Sequence, residues 1–158
     1  MSLTALPEYN IVITDTSCLI LLEKIGGFEI LQPLSTTVTT TPEIKEEFGI
    51  NLPSWIKIAT VKDISLVEVL KEIVDPGEAS AIALAIETAN SLVIVDDLKG
   101  RKLAKRMNLN VMGTLGMLLK AKQRGVIPLI KPYIDRIQET DFRISQEIID
   151  YVIEQAGE

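Results

Sequence analysis

The stretch NIVITDTSCLILL (residues 10–22) places an aspartate, Asp15, between two short apolar runs. The first run, IVIT (11–14), predicts a buried strand, and the second predicts a helix from about Thr16 to Lys24. Aspartate is unfavourable inside strands and favourable at helix starts, so Asp15 could cap this helix. A carboxylate at the end of a strand could equally hold a metal ion, and the rest of the chain bears on that choice.

The alternation of short apolar runs with helical patterns continues along the chain. Further strands are predicted at 36–40, 55–61, 91–95 and 109–113. The strand at 55–61 is expected to lie at an edge of the sheet or to be half exposed. Helical patterns separate the strands, which indicates βαβ units, right-handed crossovers and a mostly parallel sheet. We therefore expect an α/β fold.

Ligands of open α/β sheets bind beyond the carboxyl ends of the strands, and two aspartates are predicted at such ends. They are Asp15, after the first strand, and Asp96, after the strand 91–95. We expect one domain over residues 1–158, with C-terminal helices at about 127–156 belonging to it.

The composition narrows the chemistry open to these acids. The chain has no histidine and one cysteine, which removes Ser-His-Asp and Cys-His catalysis, intrachain disulfides and most zinc sites. Carboxylates that hold a hard cation such as Mg²⁺ or Mn²⁺ remain. The net charge of −6 argues against broad electrostatic binding of nucleic acid, so a local basic patch would have to do that work.

Hydrophobic patterning bears on location. The apolar runs are far shorter than a membrane span, and no basic segment precedes an apolar run at the start of the sequence. We therefore expect a cytoplasmic protein, and the single cysteine, Cys18, fits a reducing compartment.

Two glutamates belong to predicted helices that follow strands. In TTPEIKEEF (40–48), Glu47 lies about 60° around the helix from the buried Ile44, so it can reach inward at the edge of the core. In DPGE, Asp75 and Glu78 match a capping box, and the same helix start would aim Glu78 at the sheet edge.

The segment SLVIVDDLKGR (91–101) ends a buried strand with two consecutive carboxylates. One can cap the next helix, with Asp97 the better candidate, but two exceed what a cap requires. Like charges repel by ~1 kcal/mol at 4 Å in water, so a bound cation would stabilise the pair. We expect Asp96 to point inward and Asp97 to be the cap or an outer-sphere partner of an ion.

Polar and basic residues accompany these acids. LKGRKLAKR (98–106) carries mostly exposed basic side chains, among which Arg101 is the best placed for a phosphate contact. Thr114 begins a helix, where we expect it as the N-cap, with a contact in the site as the alternative. The candidate substrate contacts are Ser17, Arg101, Lys102 and Thr114.

The acids at two strand ends and on two helices would frame one cleft. They are Asp15, Glu47, Glu78, Asp96 and Asp97. In a chain without histidine, such a cluster fits one or two divalent ions that would activate water against a phosphodiester. This favours metal binding by Asp15, so that capping of the first helix falls to Thr16 or Ser17.

Several segments resemble a PIN domain, and more narrowly its prokaryotic VapC-like branch. They are VITDTSCLILLEKIG, PEIKEEF, DPGEASAIALA, VDDLKGRKLAKRMNLNVMGTLGMLLKAKQRGVI and KPYIDRIQETDFRISQEIIDYVIEQAGE. The resemblance covers essentially the whole chain, and the order GE, DD, GR and GT is its most specific part. It implies a three-layer α/β/α fold with a mostly parallel sheet of four to five strands.

The resemblance also implies a function, because PIN domains are nucleases that bind Mg²⁺ or Mn²⁺ through three or four acids and cleave single-stranded RNA. It implies that Asp15, Glu47, Glu78 and Asp96 are catalytic, with Asp97 competing with Asp96 as the metal ligand. It further implies a VapC-type toxin with a cognate antitoxin, and a homodimer. The alternative is a PIN-like nucleic-acid-binding or regulatory module that retains the acids and turns over poorly.

Overall fold

The structure, a computed structural model, describes residues 8–158 and contains a five-stranded sheet. The strands are β1 (Tyr9–Thr14), β2 (Ser35–Thr40), β3 (Ile56–Ile58), β4 (Ser91–Ile94) and β5 (Asn110–Met112). Their order is β3-β2-β1-β4-β5, and every neighbouring pair is parallel. The predicted domain also includes residues 1–7, which lie outside the described range.

Helices connect the strands and flank the sheet. They are α1 (Thr16–Ile25), α2 (Pro42–Phe48), α3 (Ile64–Leu70), α4 (Pro76–Ile86), α5 (Leu98–Arg106), α6 (Thr114–Gln123), α7 (Lys131–Gln138) and α8 (Gln146–Gln155). A 3₁₀ helix, Phe28–Leu34, precedes β2. This arrangement confirms the predicted α/β fold with a parallel sheet, and it is consistent with a PIN fold.

The two central strands end level with each other at the sheet's carboxyl edge. Thr14 of β1 pairs with Ile94 of β4, and the N–H of Asp15 donates to the carbonyl of Ile94 at 3.1 Å. Because both strands are internal to the sheet, the apolar side chains toward their carboxyl ends are covered on both faces, as a parallel sheet requires; these are Val12, Ile13, Leu92, Val93 and Ile94. The register brings the residues after β1 and β4 together.

The alanine-rich helix α4 is the most deeply buried helix segment near this edge. Its residues from Gly77 to Ala85 are all buried. Small side chains allow it to pack closely against α2 and α3 as well as against the sheet. This packing carries the first turn of α4 to the carboxyl ends of the strands.

Predicted element boundaries differ from the observed ones mainly at the sheet edge. The strand predicted at 55–61 covers only Ile56–Ile58. An edge strand pairs on one side alone, so its length follows its single neighbour, β2, rather than its own apolar pattern.

The C-terminal helices are joined to one another by a carboxylate anchor. The side chain of Glu158 accepts hydrogen bonds from the Ile130 N–H at 2.8 Å and from the Lys122 ammonium at 2.9 Å. These contacts link the segment after α8 to α6 and to the start of α7. None of the helices in residues 8–158 is long and apolar enough to cross a membrane.

Candidate active site

Asp15 lies between β1 and α1 and is almost completely buried, with 2% of its surface exposed. Its Oδ1 accepts a hydrogen bond of 2.8 Å from the backbone N–H of Cys18. Its Oδ2 accepts one of 3.2 Å from the backbone N–H of Asp96, just after β4. Asp15 therefore joins the carboxyl ends of the two central strands.

Asp15 is also the N-cap of α1, so the prediction that Thr16 or Ser17 caps this helix is wrong. Its backbone is extended and its side chain reaches the N–H three residues on, as an N-cap does. The Thr16 hydroxyl instead donates to Glu47 Oε1. An ionised carboxylate has about four acceptor sites, so capping leaves sites on Asp15 for a further ligand.

Asp96 is held by the first residue of α6. The N–H of Thr114 donates to Asp96 Oδ1 at 2.7 Å, and the Thr114 hydroxyl donates to Oδ2 at 2.6 Å. Gly113 is the N-cap of α6, so the prediction that Thr114 caps this helix is wrong. The reason is that the hydroxyl of Thr114, a completely buried residue, is directed at the Asp96 carboxylate.

The two consecutive aspartates divide their roles as expected from the sequence. Asp97 is the N-cap of α5, and its side chain accepts a hydrogen bond of 3.2 Å from the N–H of Gly100. Asp97 is exposed, whereas Asp96 is half-buried and faces Asp15 and Thr114. The cap prediction for Asp97 is confirmed.

Glu78 lies in the first turn of α4 and is buried, with 8% of its surface exposed. Asp75 caps this helix as predicted, accepting a hydrogen bond of 2.8 Å from the Glu78 N–H. Glu78 Oε2 is buried and has no hydrogen-bond partner among residues 8–158. A Cβ at Gly100 would lie 2.5 Å from this oxygen, so the glycine lets α5 approach the Glu78 carboxylate.

Glu47 is exposed on α2, yet its carboxylate turns toward α1 through the hydrogen bond from Thr16. It lines a cavity of about 250 Å³ beside the strand ends. The lining residues are Asp15, Thr16, Ser17, Ile20, Glu47, Asp75 and Glu78. Three of the predicted catalytic acids thus share one cavity, and Asp96 adjoins it through its bond to Asp15.

Burial and neighbouring carboxylates raise the proton affinity of Asp15 and Glu78. Burial, followed by the nearby charge of Asp96, raises the pKa of Asp15 from 3.8 to about 7. Burial, followed by a hydrogen bond with Asp75 and the charges of Asp75, Asp97 and Asp15, raises the pKa of Glu78 from 4.5 to about 8. Neither group has an ion-pair partner in the part of the chain that the structure describes. Their negative charge is therefore uncompensated.

The predicted substrate contacts differ in how close they lie to these acids. The Arg101 guanidinium donates to the backbone carbonyls of Val95 and Asp96, which places it at the end of β4. Ser17 is exposed and lines the acidic cavity. Lys102 is exposed on α5 and is absent from the lining of this cavity.

The donor set fits a hard divalent cation in its chemistry. All the candidate ligands are carboxylate oxygens, which Mg²⁺ and Mn²⁺ prefer, and one of them, Glu78 Oε2, is buried without a hydrogen-bond partner in the described part of the chain. Within residues 8–158, however, no three Asp, Glu, Cys or His side chains lie close enough together to hold an ion in their present positions. The residues that would hold a cation are Asp15, Glu78 and Asp96, whose carboxylates would have to move closer together to do so.

Three residues that neighbour the acids contribute to the site in ways that were not predicted from the sequence. Thr16 orients Glu47, Asp75 lines the acidic cavity in addition to capping α4, and Gly100 makes room for Glu78. The capping motif already placed Asp75 near Glu78, so it contained a signal for the second role. The approach of α5 to α4 across 22 residues of sequence has no local signal.

Comparisons with known proteins bear on the family. A family model described as a PIN domain (DUF3368) matches residues 11–158. No curated protein matches the chain significantly.

Proposed function

Because the chain belongs to the PIN-domain family, whose members are generally nucleases, we propose that it is a metal-dependent endoribonuclease. It would hydrolyse phosphodiester bonds of single-stranded RNA and would use Mg²⁺ or Mn²⁺. The observation that carries this proposal is the hydrogen bond from the Asp96 N–H to Asp15 Oδ2. It holds the Asp15 carboxylate against the backbone of Asp96 at the carboxyl ends of adjacent parallel strands, where ligands of such sheets bind.

The acids have separate proposed roles. Asp15, Glu78 and Asp96 would hold the cation, with Asp97 as the competing or outer-sphere ligand, and Glu47 would be the further catalytic acid. A cation held there would lower the pKa of an attacking water and neutralise charge that develops on the phosphate. Thr114 keeps the Asp96 carboxylate directed at the site through two hydrogen bonds.

The substrate would be held by residues at the borders of the acidic cavity. Arg101 uses one terminal nitrogen for two backbone carbonyls, which leaves the other donors of its planar guanidinium for a phosphate. Ser17, on α1, would contact the RNA. Lys102, on the exposed face of α5, would attract the RNA without touching the reacting group.

The test is cleavage of a labelled single-stranded RNA with and without Mg²⁺ or Mn²⁺. We expect cleavage that EDTA abolishes and that Asp15→Asn and Asp96→Asn each reduce by roughly 100-fold or more. Asp135→Asn, at an exposed aspartate of α7, is the matched control and should retain the wild-type rate. Absence of metal-dependent cleavage, or equal rates for all variants, would contradict the proposal.

A specific observation favours a second candidate, a PIN-like nucleic-acid-binding or regulatory module with weak turnover. Among residues 8–158 the acids do not form a closed group of three, and Glu47 accepts a hydrogen bond from Thr16. Under this alternative, the protein would bind RNA and a divalent cation but would not cut the strand. Binding without cleavage, unchanged by Asp96→Asn, would support it.

The resemblance to the VapC-like branch extends the proposal to partners. We propose a homodimer and a cognate antitoxin protein. Exposed aliphatic side chains, such as those of Ile64 and Val69 on α3, are compatible with a protein interface. Light scattering on the purified chain would detect the dimer, and a monomer at all concentrations would contradict it.

A further inference from the structure

A second cavity, of about 350 Å³, opens next to the acidic cavity. It lies between the start of α6, Arg101 of α5, and the segment that leads into α8. Asp96 lines it, and Asp96 is bonded to Asp15 in the acidic cavity. A polymer bound across the acids would therefore place the residue next to the acids in this second cavity.

The cavity combines positive charge with a helix start. Arg101 and Arg143 both line it, and within residues 8–158 Arg143 forms no ion pair with an acid. Ser145, also in the lining, caps α8, whose ten residues carry a partial positive charge at this end. With two arginines against one carboxylate, that of Asp96, the charged side chains of the lining are net positive in a chain with a net charge of −6, which favours an anionic ligand.

Large apolar side chains line the same cavity and remain accessible. Tyr151 has 60% of its surface exposed and Ile148 has 50%, although both belong to α8 and face this cavity. Phe142 contributes a half-buried ring to the lining. An accessible aromatic ring beside arginines is the combination that binds unstacked bases and their phosphates in single-stranded nucleic acids.

We propose that this cavity binds the nucleotide adjacent to the scissile phosphodiester of a single-stranded RNA. Its base stacks on Tyr151, and Arg143 contacts its phosphate. The proposal rests on the proposed function, because that function defines the position of the strand across the acids. The cavity would then select unpaired strands, since a paired base cannot turn its face to the ring.

The experiment measures the affinity of a fluorescein-labelled ten-nucleotide single-stranded RNA by anisotropy, in EDTA and in Ca²⁺. Tyr151→Ala should weaken binding roughly tenfold, whereas Tyr151→Phe, which keeps the ring, should bind like the wild type. With an abasic RNA, the difference between wild type and Tyr151→Ala should disappear. Arg143→Ala should weaken binding and lower the salt dependence by about one phosphate contact.

Arg106→Ala is the matched control for charge, because Arg106 is exposed at the end of α5 and is absent from the cavity lining. Wild-type affinity in both Tyr151→Ala and Arg143→Ala, or no RNA binding by the wild type, overturns the proposal. If the wild type still cleaves RNA while these variants bind normally, the nuclease stands and this inference fails. If the wild type does not cleave RNA but the variants lose RNA binding, the result supports RNA binding by this cavity and contradicts the proposed nuclease activity.

Discussion

Pairs of hydrogen bonds position two acids of the candidate site, Asp15 and Asp96. Asp15 accepts from the backbone of both α1 and the end of β4, and Asp96 accepts twice from Thr114. Such bonds to charged acceptors are short and directional, so they restrict the rotation of both carboxylates. The cap and the proposed ligand are thus the same side chain at Asp15.

Thr114→Val tests the positioning of Asp96 by one hydroxyl. The change keeps the shape and the backbone N–H but removes the bond to Asp96 Oδ2. We expect the RNA cleavage rate to fall roughly tenfold and stability to fall by about 1–2 kcal/mol. Thr114→Ser keeps the donor and should restore most of the rate in the same assay. Equal rates for Val and Ser would show that the hydroxyl does not position Asp96.

The sequence allowed the acids at the strand ends to be predicted more reliably than their partners. A buried strand followed by aspartate, twice in one α/β chain, indicates where Asp15 and Asp96 lie, because parallel strands share a carboxyl edge. The role of Thr114 depended on whether the N-cap of the helix is residue 113 or residue 114. A difference of one residue at a helix end turns a cap into a side-chain donor, and local patterns do not resolve it.

At the scale of elements, the approach of α5 to α4 completes the site. Gly100 lies where any side chain would meet Glu78 Oε2 at 2.5 Å and Val95 Cγ1 at 2.6 Å. The strand and helix positions followed from hydrophobic periodicity, and the caps Asp75 and Asp97 from residue type. The closeness of two helices depends on long-range packing and was not predictable.

Gly100→Ala should disturb this contact. The added methyl must displace Val95 and the Glu78 carboxylate, so we expect a loss of about 1–3 kcal/mol in the free energy of unfolding. Lys99→Ala, at the exposed neighbouring position, should change stability by less than about 0.5 kcal/mol. Urea denaturation of both variants checks this. A Gly100→Ala protein as stable as the wild type would mean that α5 is free to shift away from α4.

For the whole molecule, the site concentrates negative charge in an already acidic chain. Asp15 and Glu78 bind protons more tightly in the folded protein than in the unfolded chain, because burial and neighbouring acids raise their pKa values. Their contribution to stability is present below about pH 4. It is lost as the pH rises through about 7 for Asp15 and about 8 for Glu78. A bound cation would offset this loss.

The packing of residues 142–152 against the carboxyl edge of the sheet had no signal in the sequence, since it depends on how α8 packs against α6.

The pH dependence of stability tests this charge balance. In EDTA, raising the pH from 5 to 8 should lower the free energy of unfolding of the wild type by on the order of 2 kcal/mol relative to Asp15→Asn. Asparagine keeps the cap through its amide oxygen and removes the titrating group, although its amide nitrogen, in place of Oδ2, cannot accept from the Asp96 N–H. Urea denaturation at several pH values measures the difference. Parallel curves for the two proteins would refute the raised pKa of Asp15.

The most direct test of the central claim is anomalous diffraction from crystals of the protein soaked in Mn²⁺. We expect one peak at the carboxyl ends of β1 and β4, in direct contact with the carboxylates of Asp15 and Asp96 and within reach of Glu78. The same soak of Asp96→Asn crystals should give a weaker peak or none. A wild-type crystal with no manganese between Asp15 and Asp96 would contradict the claim that these acids form a metal site.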